Sequence, residues 1–180
     1  MSTEAASWDA EYASGRYRHD RPVGFTRDII SAARSANLRL GLYIGCGNGR
    51  NLVPLSDAGL DLIGLDISSR AIAQLRDRRP GAARLVVGGI DALMPSAEFD
   101  LVIGIQVFQH GNRGQAHTHI TAAAAHVPPG GLLCVRVNAT GTDIRYRHER
   151  TEEAGDGGFT IRYLDGPKTG LEIHFSPRLS

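Results

Sequence analysis

Cysteine is scarce in this chain. Its 180 residues hold two, Cys46 and Cys134, far apart in the sequence. That excludes a disulfide framework and fits reduced thiols, as in cytosol. Charge of one sign is also lacking: Lys and Arg number 20 against 19 Asp and Glu, a net charge of +1. No overall field therefore favours nucleic acid or an anionic membrane as partner. No apolar run approaches the roughly 20 residues a membrane-spanning helix needs. Met1-Ser2-Thr3-Glu4-Ala5-Ala6 has neither a basic region nor an apolar run, so it does not read as a signal peptide. There are no repeats and no low-complexity tracts. The expectation is a cytoplasmic chain forming a single domain, residues 1–180, large enough for a real core.

What is present centres on Leu38-Arg39-Leu40-Gly41-Leu42-Tyr43-Ile44-Gly45-Cys46-Gly47-Asn48-Gly49-Arg50-Asn51. An apolar run reads as a buried strand. Three glycines at alternate positions read as a sharp turn, and Arg50 to Leu55 as the first turns of a helix. Strand, glycine turn and helix start make a place where backbone can approach a ligand closely; glycines also punctuate ordinary strand–helix turns. The spacing is Gly-x-Gly-x-Gly and not the Gly-x-Gly-x-x-Gly of a dinucleotide site. With no Tyr-x-x-x-Lys or similar pair for hydride transfer, a nicotinamide-dependent oxidoreductase is disfavoured. A second apolar strand, Asp61-Leu62-Ile63-Gly64-Leu65-Asp66-Ile67-Ser68, carries an acid, Asp66, at its end. In an α/β nucleotide fold that position holds ribose hydroxyls, because a carboxylate has two acceptor oxygens. Asp66 could instead, or also, cap the helix that starts near Ser69.

Together the glycine turn and Asp66 resemble motifs of class I S-adenosylmethionine-dependent methyltransferases, and the resemblance runs from about Trp8 to Asn138. It implies an α/β fold: a doubly wound, Rossmann-like parallel sheet of about five strands with flanking helices. It implies S-adenosyl-L-methionine as cofactor, a small-molecule substrate and an in-line methyl transfer. The alternative is a non-catalytic or truncated relative that binds the cofactor weakly or not at all. Two positions depart from the family's pattern. Tyr43 stands where an acid usually precedes the first glycine, and Gly88-Gly89-Ile90 carries no acid where one usually meets the adenine amino group. Asp91 is the candidate substitute.

Taken in order, Ser7 to Tyr17 reads as a short helix carrying Trp8, Tyr12 and Tyr17. It is either aromatic packing onto the body or, by resemblance, a lid over the cofactor mouth within an N-terminal segment 1–36. A sulfonium beside aromatic faces is physically favourable. Phe25 to Ala36 reads as an amphipathic helix. The core, 37–138, continues with a helix around Ala71–Leu75 ending before Arg78-Arg79-Pro80-Gly81, whose arginines read as a solvated helix end. Strands follow at Arg84–Gly88, Phe99–Ile105 and Gly131–Val137, with a helix from Asn112 to His126. Alternating strands and helices, with near-continuous apolar strands, imply a parallel sheet buried on both faces. In the last segment, 139–180, Asp143 to Gly158 is charged and reads as a loop. Phe159–Leu164 and Gly170–Phe175 then read as a C-terminal β-hairpin.

Ligands of such sheets bind outside the carboxyl ends of the strands. By resemblance, the cofactor residues are Gly45, Cys46, Gly47, Asn48, Gly49 and Asn51 at the first tip and Asp66 and Ile67 at the second. Ile90 and Asp91 follow at the third, Gln106 and Phe108 at the fourth, with Tyr12 from the lid. His110 is a candidate general base near neutral pH; the other reading is a surface or cap histidine. Alignment alone supplies much of the acceleration of a displacement, so no base is obligatory. His117, His119 and His126 share a helix, but no carboxylate or cysteine completes a metal set, and they read as surface residues. Family members usually finish with a helix and two antiparallel strands. Here Ser176-Pro177, a helix start signal, is followed only by Arg178-Leu179-Ser180. The expectation is a truncated end, with the fifth strand as an open sheet edge through which the chain self-associates.

Overall fold

The four most apolar runs of the sequence lie side by side. In the computed structural model, which describes residues 3–81 and 84–177, β1 (Leu40–Ile44), β2 (Asp61–Asp66), β3 (Leu85–Val87), β4 (Leu101–Ile105) and β5 (Leu132–Arg136) form a five-stranded sheet. Its order is β3-β2-β1-β4-β5. β1 pairs in parallel with β2 on one side and β4 on the other, so Ile44 faces both Leu65 and Gly104. The strand order reverses at β1, and the tips of β1, β2 and β4 end together beside that reversal. β4 is buried along its whole length, as a strand covered on both faces must be.

The helices are α1 (Thr3–Ala13), α2 (Phe25–Ser35), α3 (Leu52–Asp57), α4 (Ser69–Arg78) and α5 (Arg113–Ala124). α3 tolerates Pro54 because its position lies in the first turn, where amide donors have no helical partner. In α4, Ala71, Ile72 and Leu75 form the buried stripe. Ile72 and Leu75 join Ile29, Ala33, Tyr43, Leu55, Leu101 and Ile103 in one core. α1 begins earlier than the aromatic pattern indicates and stops before Gly15, which has φ 79°.

The chain packs as two compact units. The first comprises Met1–Ile105 and Ala123–Cys134, the second Gln106–Ala122 and Val135–Ser180. The second contains a three-stranded antiparallel sheet, β6-β7-β8, from His148–Glu153, Phe159–Tyr163 and Glu172–Phe175. The expected hairpin is β7–β8. β6 corrects the reading of Asp143–Gly158 as a loop: every residue of His148-Glu149-Arg150-Thr151-Glu152-Glu153 is exposed, so no apolar alternation marks it. It is held by the backbone ladder to β7 and by Arg150, whose guanidinium lies 4.1 Å from the centre of the Phe159 ring. Phe159, Ile161, Ile173 and Phe175 make a small separate core.

Ser176, read from the sequence as a helix start signal, lies in an isolated parallel bridge. Its amide donates to the Asn138 carbonyl and its carbonyl accepts from Thr140, a parallel bridge to Ala139 just beyond β5. β5 is the outermost strand of its sheet. Arg178, Leu179 and Ser180, part of the truncated end expected from the sequence, lie outside the described residues.

Candidate functional site

The three glycines of the turn each have φ in the left-handed region: 67° at Gly45, 57° at Gly47 and 87° at Gly49. Left-handed backbone is open to glycine at little cost, but the surroundings differ. A Cβ on Gly49 would stand 2.3 Å from Leu75, so that position serves the packing of α4. A Cβ on Gly47 would stand 2.5 Å from the Tyr12 hydroxyl. The Gly47 backbone is therefore the part of the turn that another group reaches at van der Waals distance. The Cys46 side chain points inward to the core beneath Gly64, and burial pushes its thiol pKa well up. Asn51 also turns inward: its amide oxygen accepts from the Val23 N–H at 3.0 Å and its NH₂ donates to the Tyr43 hydroxyl at 3.3 Å.

Asp66, 8% exposed at the tip of β2, ties the first two strand ends together. One carboxylate oxygen accepts from the Gly47 N–H at 2.8 Å and the other from the Ser68 N–H at 2.9 Å. Burial raises its pKa, with the two amides opposing that rise. The cap of α4 is Ser68, whose hydroxyl accepts from the Ala71 N–H, so Asp66 is not itself the N-cap. Each Asp66 oxygen retains a second lone pair. Beside it opens a cleft of about 460 Å³, lined by Ala5, Asp9, Ile67, Ser69, Val87, Gly88, Gly89 and Asp91. Val87 is 47% exposed there. Ile90 and Asp91 lie in a short 3-10 turn directly after β3, and the Asp91 carboxylate stands against Gly89.

The segment before α2 is fastened over these tips by contacts that no local pattern reveals. Asp9 accepts from the Ser68 hydroxyl at 2.6 Å, the Ser69 hydroxyl at 3.1 Å and the Arg70 N–H at 3.1 Å. The Ser68 bond leads in holding its pKa below the usual carboxylate value. Gln74 donates to the Tyr12 carbonyl and Asn48 to the Tyr17 carbonyl. Arg78, exposed at the end of α4 as expected, also donates to the carbonyls of Asn48 and Arg18 at 3.0 and 2.5 Å, and so clamps the glycine turn to the N-terminal segment. Tyr12 and Tyr17 rings lie 5.5 Å apart. Burial raises the pKa of both phenols.

Gln106, Phe108 and His110 belong to the second unit. Gln106 has φ 55°, a conformation that a side chain with a Cβ adopts rarely. Its N–H donates to the Arg136 carbonyl at 2.7 Å. Phe108 is buried. His110 is partly buried and bridges to Ile173, so it is not a surface residue. Desolvation, aided by the Lys168 charge, lowers its pKa to about 3. His117 and His119 are exposed on α5. His126, expected at the surface, is buried just after α5, with Nδ1 2.6 Å from the Ala97 carbonyl. No cluster able to hold a metal ion occurs among the described residues.

Residues 42–131 match the family described as methyltransferase domain. Among curated proteins, the chain is 34% identical over 117 residues to a ubiquinone biosynthesis O-methyltransferase of Sinorhizobium fredii, covering 62% of this chain and 45% of that protein. The counterpart in Sinorhizobium medicae is 33% identical over the same length, with the same coverage. The chain thus spans about half the length of the curated relatives it matches. Among solved structures, a 1,6-didemethyltoxoflavin N1-methyltransferase of Burkholderia thailandensis superposes with TM-score 0.66 at 16% identity, covering 97% of this chain and 71% of that one. The amino pentose methyltransferase CalS10 of Micromonospora echinaspora gives TM-score 0.61 at 22% identity, covering 85% and 66%.

Proposed function

The chain belongs to the methyltransferase domain family, and from that membership we propose that it binds S-adenosylmethionine and methylates a hydroxyl or amine of a small molecule. The observation that carries the reading is the pairing of Asp66 with the Gly47 amide beside an open cleft. Asp66 receives the ribose hydroxyls on its remaining lone pairs. The cleft between Ile67 and Val87 suits the flat apolar faces of an adenine, and Asp91 offers an acceptor for its amino group. The exposed Val87 side chain fits this use, since an aliphatic group left to solvent gains by being covered. The glycine turn takes the methionine end at the Gly47 backbone.

When bound, the sulfonium supplies an electrophilic methyl carbon with a neutral thioether as leaving group. The residues supply alignment and exclusion of water, which can account for most of the acceleration of such a displacement. His110, in the second unit, has its pKa lowered to about 3 by burial; it is neutral near pH 7 and holds a proton too weakly to store one. A reducing, cytoplasmic location is part of the same proposal, consistent with Cys46 and Cys134 being unpaired. No described helix is long and apolar enough to cross a membrane.

Titration calorimetry tests the reading. S-adenosylhomocysteine and S-adenosylmethionine should bind, and NADH should not. Gly47→Val places a branched side chain against Tyr12 at a left-handed φ and should abolish binding while the circular dichroism spectrum stays intact. Wild-type affinity in that variant would overturn the site. Binding without methyl transfer to any hydroxyl or amine acceptor would favour a non-catalytic relative.

A further inference from the structure

Glu11 lies near the end of α1 and is 4% exposed. One of its carboxylate oxygens accepts from the Tyr17 hydroxyl at 2.8 Å and lies 3.3 Å from a guanidinium nitrogen of Arg16. The other, Oε1, is fully buried and has no hydrogen-bond partner. An unsatisfied buried acceptor is costly, more so on an ionised group. The surrounding segment is nevertheless built to keep it there. Tyr17 takes the left-handed φ of 68°, which turns the chain back so that its ring meets Glu11. Asn48 fixes the Tyr17 carbonyl and Gln74 the Tyr12 carbonyl.

The position of Glu11 is tied to one end of the glycine turn. Its helical neighbour Tyr12 sets its hydroxyl against Gly47, and Tyr17 is bound to Asn48. Glu11 and Asp66 are the buried carboxylates of this unit among the described residues. Asp66 accepts from two backbone amides, and its remaining lone pairs are those assigned above to the ribose hydroxyls. On β1 the inward residue beside the turn is Tyr43, a buried phenol bonded to Asn51, and it offers no negative charge. A buried carboxylate oxygen left without a donor has the chemistry to accept an organic ammonium.

We propose that Glu11 Oε1 accepts the α-ammonium of the bound cofactor, so that the acid facing this group comes from the N-terminal helix and not from β1. The proposal rests on the cofactor reading above, and the following experiment separates the two. Calorimetry compares S-adenosylhomocysteine with its desamino analogue, in which hydrogen replaces the α-ammonium. The wild type should prefer the amine-bearing ligand by about ten- to a hundredfold, the range of a hydrogen bond to a charged group. Glu11→Gln keeps an acceptor for Tyr17 but loses the charge. It should erase that preference while binding the desamino analogue as the wild type does. Glu11→Asp, which keeps the charge and shortens the reach, should lower the preference if Glu11→Gln fails to fold. Equal wild-type affinity for the two ligands, or an undiminished preference in a folded variant, overturns the role of Glu11 and leaves the cofactor reading standing. Failure of the wild type to bind either ligand sinks both.

Discussion

The two sheets of this protein are made from opposite materials. β4, Leu101-Val102-Ile103-Gly104-Ile105, is buried at every position. β6, His148 to Glu153, is exposed at every position. The parallel sheet is held by removing apolar area from water, a force that does not depend on charge pairing and is not weakened by ionic screening. The outer strand of the antiparallel sheet is held by backbone pairing and by charged side chains lying across it. Arg162 of β7 reaches Glu149 of β6 at 3.2 Å and Glu172 of β8 at 2.8 Å, and Arg150 covers Phe159. Strand pairing is thus secured by two routes whose responses to solvent conditions differ.

The sharpest break in that comparison comes from the parallel sheet. Leu101→Ala removes a fully buried side chain and should cost about 2–5 kcal/mol in urea unfolding, since a cavity adds to the lost transfer energy. A cost below about 1 kcal/mol would mean that the core collapses around the gap. Asp66→Ala tests the site end of the same sheet. It should weaken S-adenosylhomocysteine by about 1.5–3 kcal/mol in calorimetry; a normal affinity with a lowered melting temperature would reduce Asp66 to a tie between strand tips.

Titration should move the two units in opposite directions. His110 and His174 are held below the ordinary imidazole value, in both cases chiefly by burial. A histidine depressed in the folded state contributes stability that is complete above the unfolded value of about 6.5 and is lost as pH falls. For His110 the loss continues toward about 3. Asp66 is raised by burial, so protonation relieves its cost as pH falls. Between pH 6.5 and 5, amides of β7 should therefore lose protection from hydrogen exchange sooner than amides of β4. Equal loss in both would show that the units respond as one. The smallest expected effect is that of Arg162→Ala. Its ion pairs are exposed, so the variant should lose no more than about 1 kcal/mol, and 1 M salt should remove most of the difference.

The contrast also decides what can be read without coordinates. β4 and β2 announce themselves because burial on both faces demands a continuous apolar run. β6 carries no such demand and looks like a charged loop. The glycine turn and Asp66 are legible because a left-handed backbone and a two-oxygen acceptor each restrict the residue type. The reason for Gly49 is not legible, since the obstructing Leu75 comes from α4. Nor is the clamp made by Arg78, whose partners Asn48 and Arg18 lie 30 and 60 residues away. A basic residue in a last helical turn ordinarily faces water or its own helix end. His126 is hidden for a similar reason: its partner, the Ala97 carbonyl, belongs to a loop 29 residues earlier.

Asp9 gives α4 part of its cap from a distance of 61 residues. In the first turn of that helix the Ala71 amide is held locally by Ser68, and the Arg70 amide is held by Asp9. The two neighbouring amides therefore keep different clocks. Deuterium enters at Ala71 when the helix start frays, and at Arg70 also whenever α1 departs. The ratio of the two exchange rates counts excursions of the N-terminal helix directly, with no label attached to it. Anything that closes α1 more firmly over the strand tips slows the Arg70 clock and leaves its neighbour running.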